Sequence, residues 1–428
     1  MSAHHDDLLS PREWSELTRR ASARVPRWDV PLIVLALLGA AGFYLGLEGE
    51  RRALPFFYVN FLFWGGLAQA GIVFAAITHV VRAQWGPQVA RLGLVQMAYL
   101  PLNLLLFIVV ALTASQVIPW ASEFHADSHV QFHGFKGWWL RLPQLLVRDF
   151  GVLVVLMLLS FRFAMTVLRL DRGALAEQRG TPPPKGWRGL DEEKRITRGR
   201  GTVWGALLIL GYAFGYSILA FDLVMSLEPH WYSTMFGGYF FVTTIYMGLA
   251  ALVVWSTLLR GRLGLESQLG KRQFHDLAKI MFGFCILSVY TGFAQYLTIW
   301  YGDLPEEVSY LLHRMGPDQS FWRPVSLLVF FGGFLGPFLI LLNQKIKMIP
   351  GLLSILALWI LFIGFTERNL LVMPPIFHFG EVALAGREIL SLVLITAGFA
   401  GLYGLAMLQG LRRAVIVPVP QRIPPIAL

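Results

Sequence analysis

Residues 221–236 read FDLVMSLEPHWYSTMF. The stretch closes an apolar segment that starts near Val203, which places Asp222 inside a membrane helix. Pro229 is expected to end that helix, and PHWYST then turns the chain back into the next apolar run. At a rise of about 1.5 Å per residue, Asp222 lies roughly 10 Å below the proline. A carboxylate at the centre of a spanning helix costs about 2.5–3.5 kcal/mol on insertion scales, less near an end. A residue that costly is a functional candidate by default. The pattern recurs in GLLSILALWILFIGFTERNLLVMPP (351–375), where Glu367 stands before Pro374. Each acid precedes its proline by seven residues, so matching outer corners are expected.

The surrounding chain belongs to an integral membrane protein. Of 428 residues 56% are hydrophobic and only 14% charged, with a mean hydropathy of +0.58; soluble domains carry about 25% charged residues. Ten runs suit a ~30 Å hydrocarbon core, near 30–47, 54–81, 92–114, 146–169, 203–227, 236–259, 276–300, 323–343, 350–371 and 388–411. The expectation is an all-α protein of ten transmembrane helices.

A net charge of +10 invites a nucleic-acid reading, but its distribution argues against one. With the amino terminus inside, 26 of the 36 Lys and Arg fall on the cytoplasmic side and 9 on the other. That bias sets both termini in the cytoplasm and faces the basic loops toward anionic headgroups. Cys285 is the only cysteine, which excludes an intramolecular disulfide, a C-x-x-C-H haem attachment and a cysteine-ligated iron–sulfur cluster within the chain. About 30 polar residues precede the first apolar run, so the first helix is expected to act as the membrane signal.

The organisation is a cytoplasmic segment (1–29), helices one to four (30–169), a cytoplasmic loop (170–202), helices five to ten (203–411) and a proline-rich cytoplasmic tail (412–428). SPREWSELTRR (10–20) suggests an amphipathic helix at the inner surface. Gln96, Tyr99 and Asn103 make a polar stripe on the third helix, a pattern that glues helices more often than it conducts. Glu123, His125, Asp127, His129 and His133 crowd an outer loop, where solvated histidines need no metal. His79 alone among the histidines lies within a span, so a bis-histidine haem is not expected.

The halves read as repeats. Gly66-Leu67-Ala68 recurs as Gly248-Leu249-Ala250 after a second aromatic cluster, an offset of 182 residues that also carries the third helix onto the seventh. Four spans separate each pair, so the repeats run in the same sense. Two parallel four-helix bundles, helices 2–5 and 6–9, with two flanking helices follow. The seventh helix opens with His275, Asp276 and Lys279 at the inner surface. It continues with Ser288, Thr291, Gln295 and Thr298 at helical spacing, with Tyr290 alongside, a stripe that leads outward.

MSLEPHWYSTMFGGYFF (225–241), HDLAK (275–279), QYLTIWYGDLPEE (295–307) and LLVMPP (370–375) resemble the F subunit of the bacterial alternative complex III, a quinol:cytochrome c oxidoreductase. That subunit belongs to the polysulfide-reductase-type, NrfD-like group, and the resemblance covers roughly residues 30–411. It implies the ten-helix, two-bundle fold and a set of partners: a paralogous membrane subunit that binds menaquinol, a multihaem cytochrome c subunit and an iron–sulfur subunit. One position departs from the family pattern, which has an acid near the inner end of the third helix; Gln96 is the nearest polar group here.

Three readings follow. In the first, the chain is a subunit of a quinol-oxidising complex with no redox cofactor of its own. It carries part of a proton path through Asp222, Glu367, Tyr290 and Gln295, with His275, Asp276 and Lys279 at the inner entrance. In the second, it is a quinol-binding anchor, with a ring held near Asp222, His230, Trp231 and Tyr232. The third is a secondary transporter, which an obviously broken helix would favour.

Overall fold

The computed structural model describes residues 10–47, 53–121, 134–318, 321–377 and 386–419. Among these no strand occurs, and ten helices are long and apolar enough to cross a membrane. They are Asp29–Leu47, Ala53–Val80, Pro87–Val117, Leu142–Arg179, Leu190–Leu223, Met235–Leu263, Lys271–Gly302, Trp322–Leu342, Pro350–Ile376 and Gly386–Arg413, called spans one to ten below. Each falls on one of the ten expected runs. An even number of crossings puts the described chain ends on one face, here the terminal face.

Spans two to five close one ring of four helices and spans six to nine a second. Spans two and six meet at the centre, and spans one and ten pair with each other along span two. This is the two-bundle arrangement with flanking helices that the repeat spacing predicts. Spans two and six are apolar on every side, the pattern of a helix enclosed by others rather than by lipid, and they are the most buried of the ten. The repeated Gly-Leu-Ala segments serve this contact: a Cβ on Gly66 would press on Thr244, and one on Gly248 would strike Ala70. Spans one and ten touch through Gly39 and Gly398, where a Cβ on either would run into the other's backbone.

The ends of the helices differ more from the sequence reading. Spans four and five have 38 and 34 residues, or about 57 and 51 Å, longer than the hydrocarbon core. They project beyond the terminal face as a helical hairpin, so most of the expected 170–202 loop is helix and only 180–189 connects. Trp187 lies where a side chain on Gly173 would sit, and Arg169 grips both Glu193 oxygens (2.9 and 3.1 Å) and the carbonyls of Lys185 and Gly186.

The amphipathic helix is present as Pro11–Ala23, with Trp14, Thr18 and Ala21 buried. Ser10 and Glu13 form its capping box, and the hydrogen bond from Ser10 holds the Glu13 carboxyl below its ordinary range. Two spans are locally rewound. Span three passes through a three-ten turn at Gln96–Tyr99, just before Pro101, and span eight through a π turn at Phe331–Leu335. The Trp359 indole takes the Gly332 carbonyl at 2.9 Å there.

Candidate functional site

Asp222 is fully buried in the last turn of span five. The helix closes at Leu223, six residues before Pro229, so the expectation that the proline ends it is corrected. A three-ten turn at Met225–Leu227 takes over, and the Ser226 hydroxyl caps the carbonyl of Asp222. Pro229 acts only on its neighbour: Glu228 is non-helical (φ −114°, ψ 82°), as a residue before proline tends to be.

Three side chains from the start of span four and the segment before it surround Asp222. Arg148 Nε donates to Oδ2 at 2.6 Å, and Trp139 Nε1 donates to Oδ1 at 2.8 Å. The Arg148 guanidinium also lies 3.9 Å over the Trp139 ring and donates to its carbonyl. Asp149, fully buried, has its carboxyl beside that of Asp222, and neither of its oxygens has a hydrogen-bond partner. From span two, Tyr58 reaches the same corner and donates to the Leu223 carbonyl at 2.7 Å. Two buried carboxyls and one part-exposed guanidinium thus share this corner.

Arg148, Asp149 and Trp139 are absent from the sequence reading. The signal was present as the dipeptide Arg148-Asp149 inside an apolar run, but its place near the end of that run reads as interface.

Glu367 has a different setting. Span nine continues through Pro374 and Pro375 to Ile376, so the second proline does not end its helix either; Glu367 stands nine residues before the end of its helix and Asp222 one. Arg314 explains why the helix survives. It donates to the carbonyls of Leu370 and Leu371, the acceptors that Pro374 and Pro375 cannot serve, while Glu228 neutralises it at 2.6 Å. Glu367 itself pairs with Arg368 at 3.2 Å, and Tyr239 lies against its carboxyl. Arg368 also donates to Thr243, Thr244 and the Phe240 carbonyl and stacks 4.0 Å from the Phe240 ring. That density of contacts is a structural anchor.

The other candidates are dispersed. His275, Asp276 and Lys279 sit together at the terminal end of span seven, where Lys279 pairs with Asp276 at 2.7 Å and His275 stands 3.7 Å from the same oxygen. The stripe above them is self-contained. Ser288, Thr291, Gln295 and Thr298 each donate to carbonyls of their own helix, and Tyr290 faces outward, 63% exposed. Trp231 stacks on Tyr310 at 3.8 Å, while His230 and Tyr232 are exposed. Burial pushes the Tyr310 phenol up to about 12. None of these residues joins the Asp222 cluster. Glu123, His125, Asp127, His129 and His133 lie outside the described residues, among which no three His, Cys, Asp or Glu could hold a metal ion.

Fold and site together define an all-α, multi-pass membrane protein with a buried pair of acids at one end of a four-helix bundle. No family model matches the chain, and no curated protein matches it.

Proposed function

We propose that the chain is a subunit of a quinol:cytochrome c oxidoreductase of the alternative complex III type, carrying part of a proton path and no redox cofactor of its own. The observation that carries the proton path is the Asp149–Asp222 pair. Two buried carboxyls beside a single guanidinium balance their charge when one proton is shared between them. A second proton arriving on one side releases the first on the other. Arg148 holds the residual negative charge, and Trp139 keeps the Asp222 carboxyl in place.

In this reading the basic terminal face is cytoplasmic, in the inner membrane of a bacterium, and the acid pair lies near the periplasmic side. Menaquinol is oxidised on a paralogous membrane subunit. Haem c and the iron–sulfur clusters belong to a multihaem cytochrome and an iron–sulfur subunit. The resemblance of residues 225–241, 275–279, 295–307 and 370–375 to the family's F subunit supports those partners. Against a quinol-binding anchor stand the stacking of Trp231 on Tyr310 and the engagement of Asp222 by Arg148 and Trp139.

The test is purification of the tagged chain from its native membrane, followed by assays of quinol-driven cytochrome reduction and proton release per intact complex. Co-purification with a multihaem cytochrome is expected, with proton release impaired in Asp149→Asn and Asp222→Asn. A chain that purifies alone would sink the complex, and normal proton release in both variants would sink the path.

A further inference from the structure

Inside the bundle of spans two to five, one helical turn from the acid pair, lie two small cavities. Both are lined by Gly65, Asn103, Leu153 and Tyr216. They measure about 10 and 20 Å³ of space open to the centre of a water, close to one water each. Their lining is uneven. Leu62, Leu219, Leu223 and Phe240 supply apolar wall, and Asn103 supplies an amide that is 5% exposed. The Asn103 Oδ1 receives no donor from the protein. The Tyr216 hydroxyl donates its proton to the Gly65 carbonyl at 3.3 Å, which leaves its oxygen free to accept. Gly65 makes the room: a Cβ there would stand 2.5 Å from Asn103 Oδ1.

The geometry points to a built water site, in which one or two waters donate to Asn103 Oδ1 and to the Tyr216 oxygen. A dry, buried amide oxygen beside a cavity of that size is unfavourable, and polar cavities of this size hold water where apolar ones stay dry. Position gives the site its use. The larger cavity reaches Leu223, next to Asp222, and Leu153 is one turn from Asp149 on span four. The smaller cavity reaches Gln69, whose amide donates to Ser160 at 3.0 Å, deeper in the bundle. Farther along span three, both polar atoms of the Gln96 amide are without partners. The waters link the acid pair to this buried polar column. Their occupancy stands on the cavity alone; their role as a relay rests on the proton-path reading above.

Hydroxyl-radical footprinting with mass spectrometry on the purified complex separates these two statements, because radicals formed from bound water label buried side chains beside it. Tyr216 should be labelled well above Tyr212, its buried neighbour on span five, 4.4 Å away between ring centroids. In Asn103→Leu the Tyr216 labelling should fall to the Tyr212 level. In Asn103→Ser, which keeps a polar group and enlarges the space, it should persist. Equal labelling of the two tyrosines in the unaltered protein, or no change in Asn103→Leu, would overturn the site. Proton release per intact complex is measured on the same preparations. Lost labelling with normal release in Asn103→Leu would overturn the relay. Normal release in Asp222→Asn would instead overturn the proton path and leave the water site standing.

Discussion

Arg314 takes over the hydrogen bond that Pro374 cannot make. Its Nε donates at 3.1 Å to the carbonyl of Leu370, four residues before that proline, and its Nη2 donates to Leu371, four before Pro375. The helix Pro305–Met315 thereby locks onto span nine, and Glu228 in the Asp222 hairpin joins through its 2.6 Å ion pair. Arg314→Met removes these bonds and leaves Glu228 only the His313 imidazole, 3.6 Å away, as a basic neighbour. A loss of about 3–5 kcal/mol is expected, as for other broken buried pairs. Adding Pro374→Ala, which restores a backbone donor for Leu370, should recover part of it. Unfolding in mixed micelles checks both variants, and Arg314→Met as stable as the original protein would refute the arrangement.

The acid pair predicts an asymmetry among its members. Asp149→Asn keeps size and can donate to Asp222, so stability should stay within about 1 kcal/mol, the net value of a typical hydrogen bond, while proton release falls. Arg148→Leu leaves two buried carboxyls with no cation and should cost several kcal/mol. Thermal unfolding and proton release, measured on the same preparations, distinguish the two. Parallel losses of stability in both variants would mean that the pair is only structural.

The spans were legible because length and hydropathy fix where a chain crosses a membrane. The two-bundle repeat was legible too, since Gly66 and Gly248 recur at a fixed offset; that the two glycine segments meet each other is what the fold adds. Helix ends were not. Pro229 and Pro374 look alike in sequence, yet the first follows a helix that has already closed and the second sits inside one held by an arginine about 60 residues away. What the seventh-helix stripe faces was not legible for another reason: Ser, Thr and Gln can be satisfied by their own helix, so spacing alone does not show it. Asp149 was passed over because an acid near the end of an apolar run reads as interface, and only the fold reveals Asp222 against it.

Glu367 and Arg368 should behave unequally. Glu367→Gln keeps a hydrogen-bonding group beside Tyr239, and Arg368 retains Thr243, Thr244 and Phe240, so folding and proton release should remain near normal. Arg368→Leu strands Glu367, which is 5% exposed, and leaves both threonines without their partner. It should cost about 3–5 kcal/mol and lower the yield of folded protein. Loss of proton release in Glu367→Gln at normal stability would return this acid to the path.

The terminal face is covered by the helix Pro11–Ala23 and by residues 414–419, which makes a last prediction. The Trp14 indole donates to the Val417 carbonyl at 3.1 Å, and the Val419 amide donates to Asp171 at 3.1 Å. Asp171, fully buried, pairs with Arg91 from span three, so the tail forms the lid over an ion pair. Arg412 pairs with Asp29 at 2.6 Å and ties span ten to span one at the same face. Trp14→Phe removes one hydrogen bond and should cost about 1 kcal/mol. Deletion of residues 414–428 should cost more, because it uncovers Ile416 and Val417 contacts and opens Asp171 to water. Limited proteolysis from the terminal face reads the difference: the deletion should speed cleavage in the 180–189 connection, while Trp14→Phe should change it little. Equal cleavage rates in the deletion and the full chain would show that the tail lies on this face without closing it.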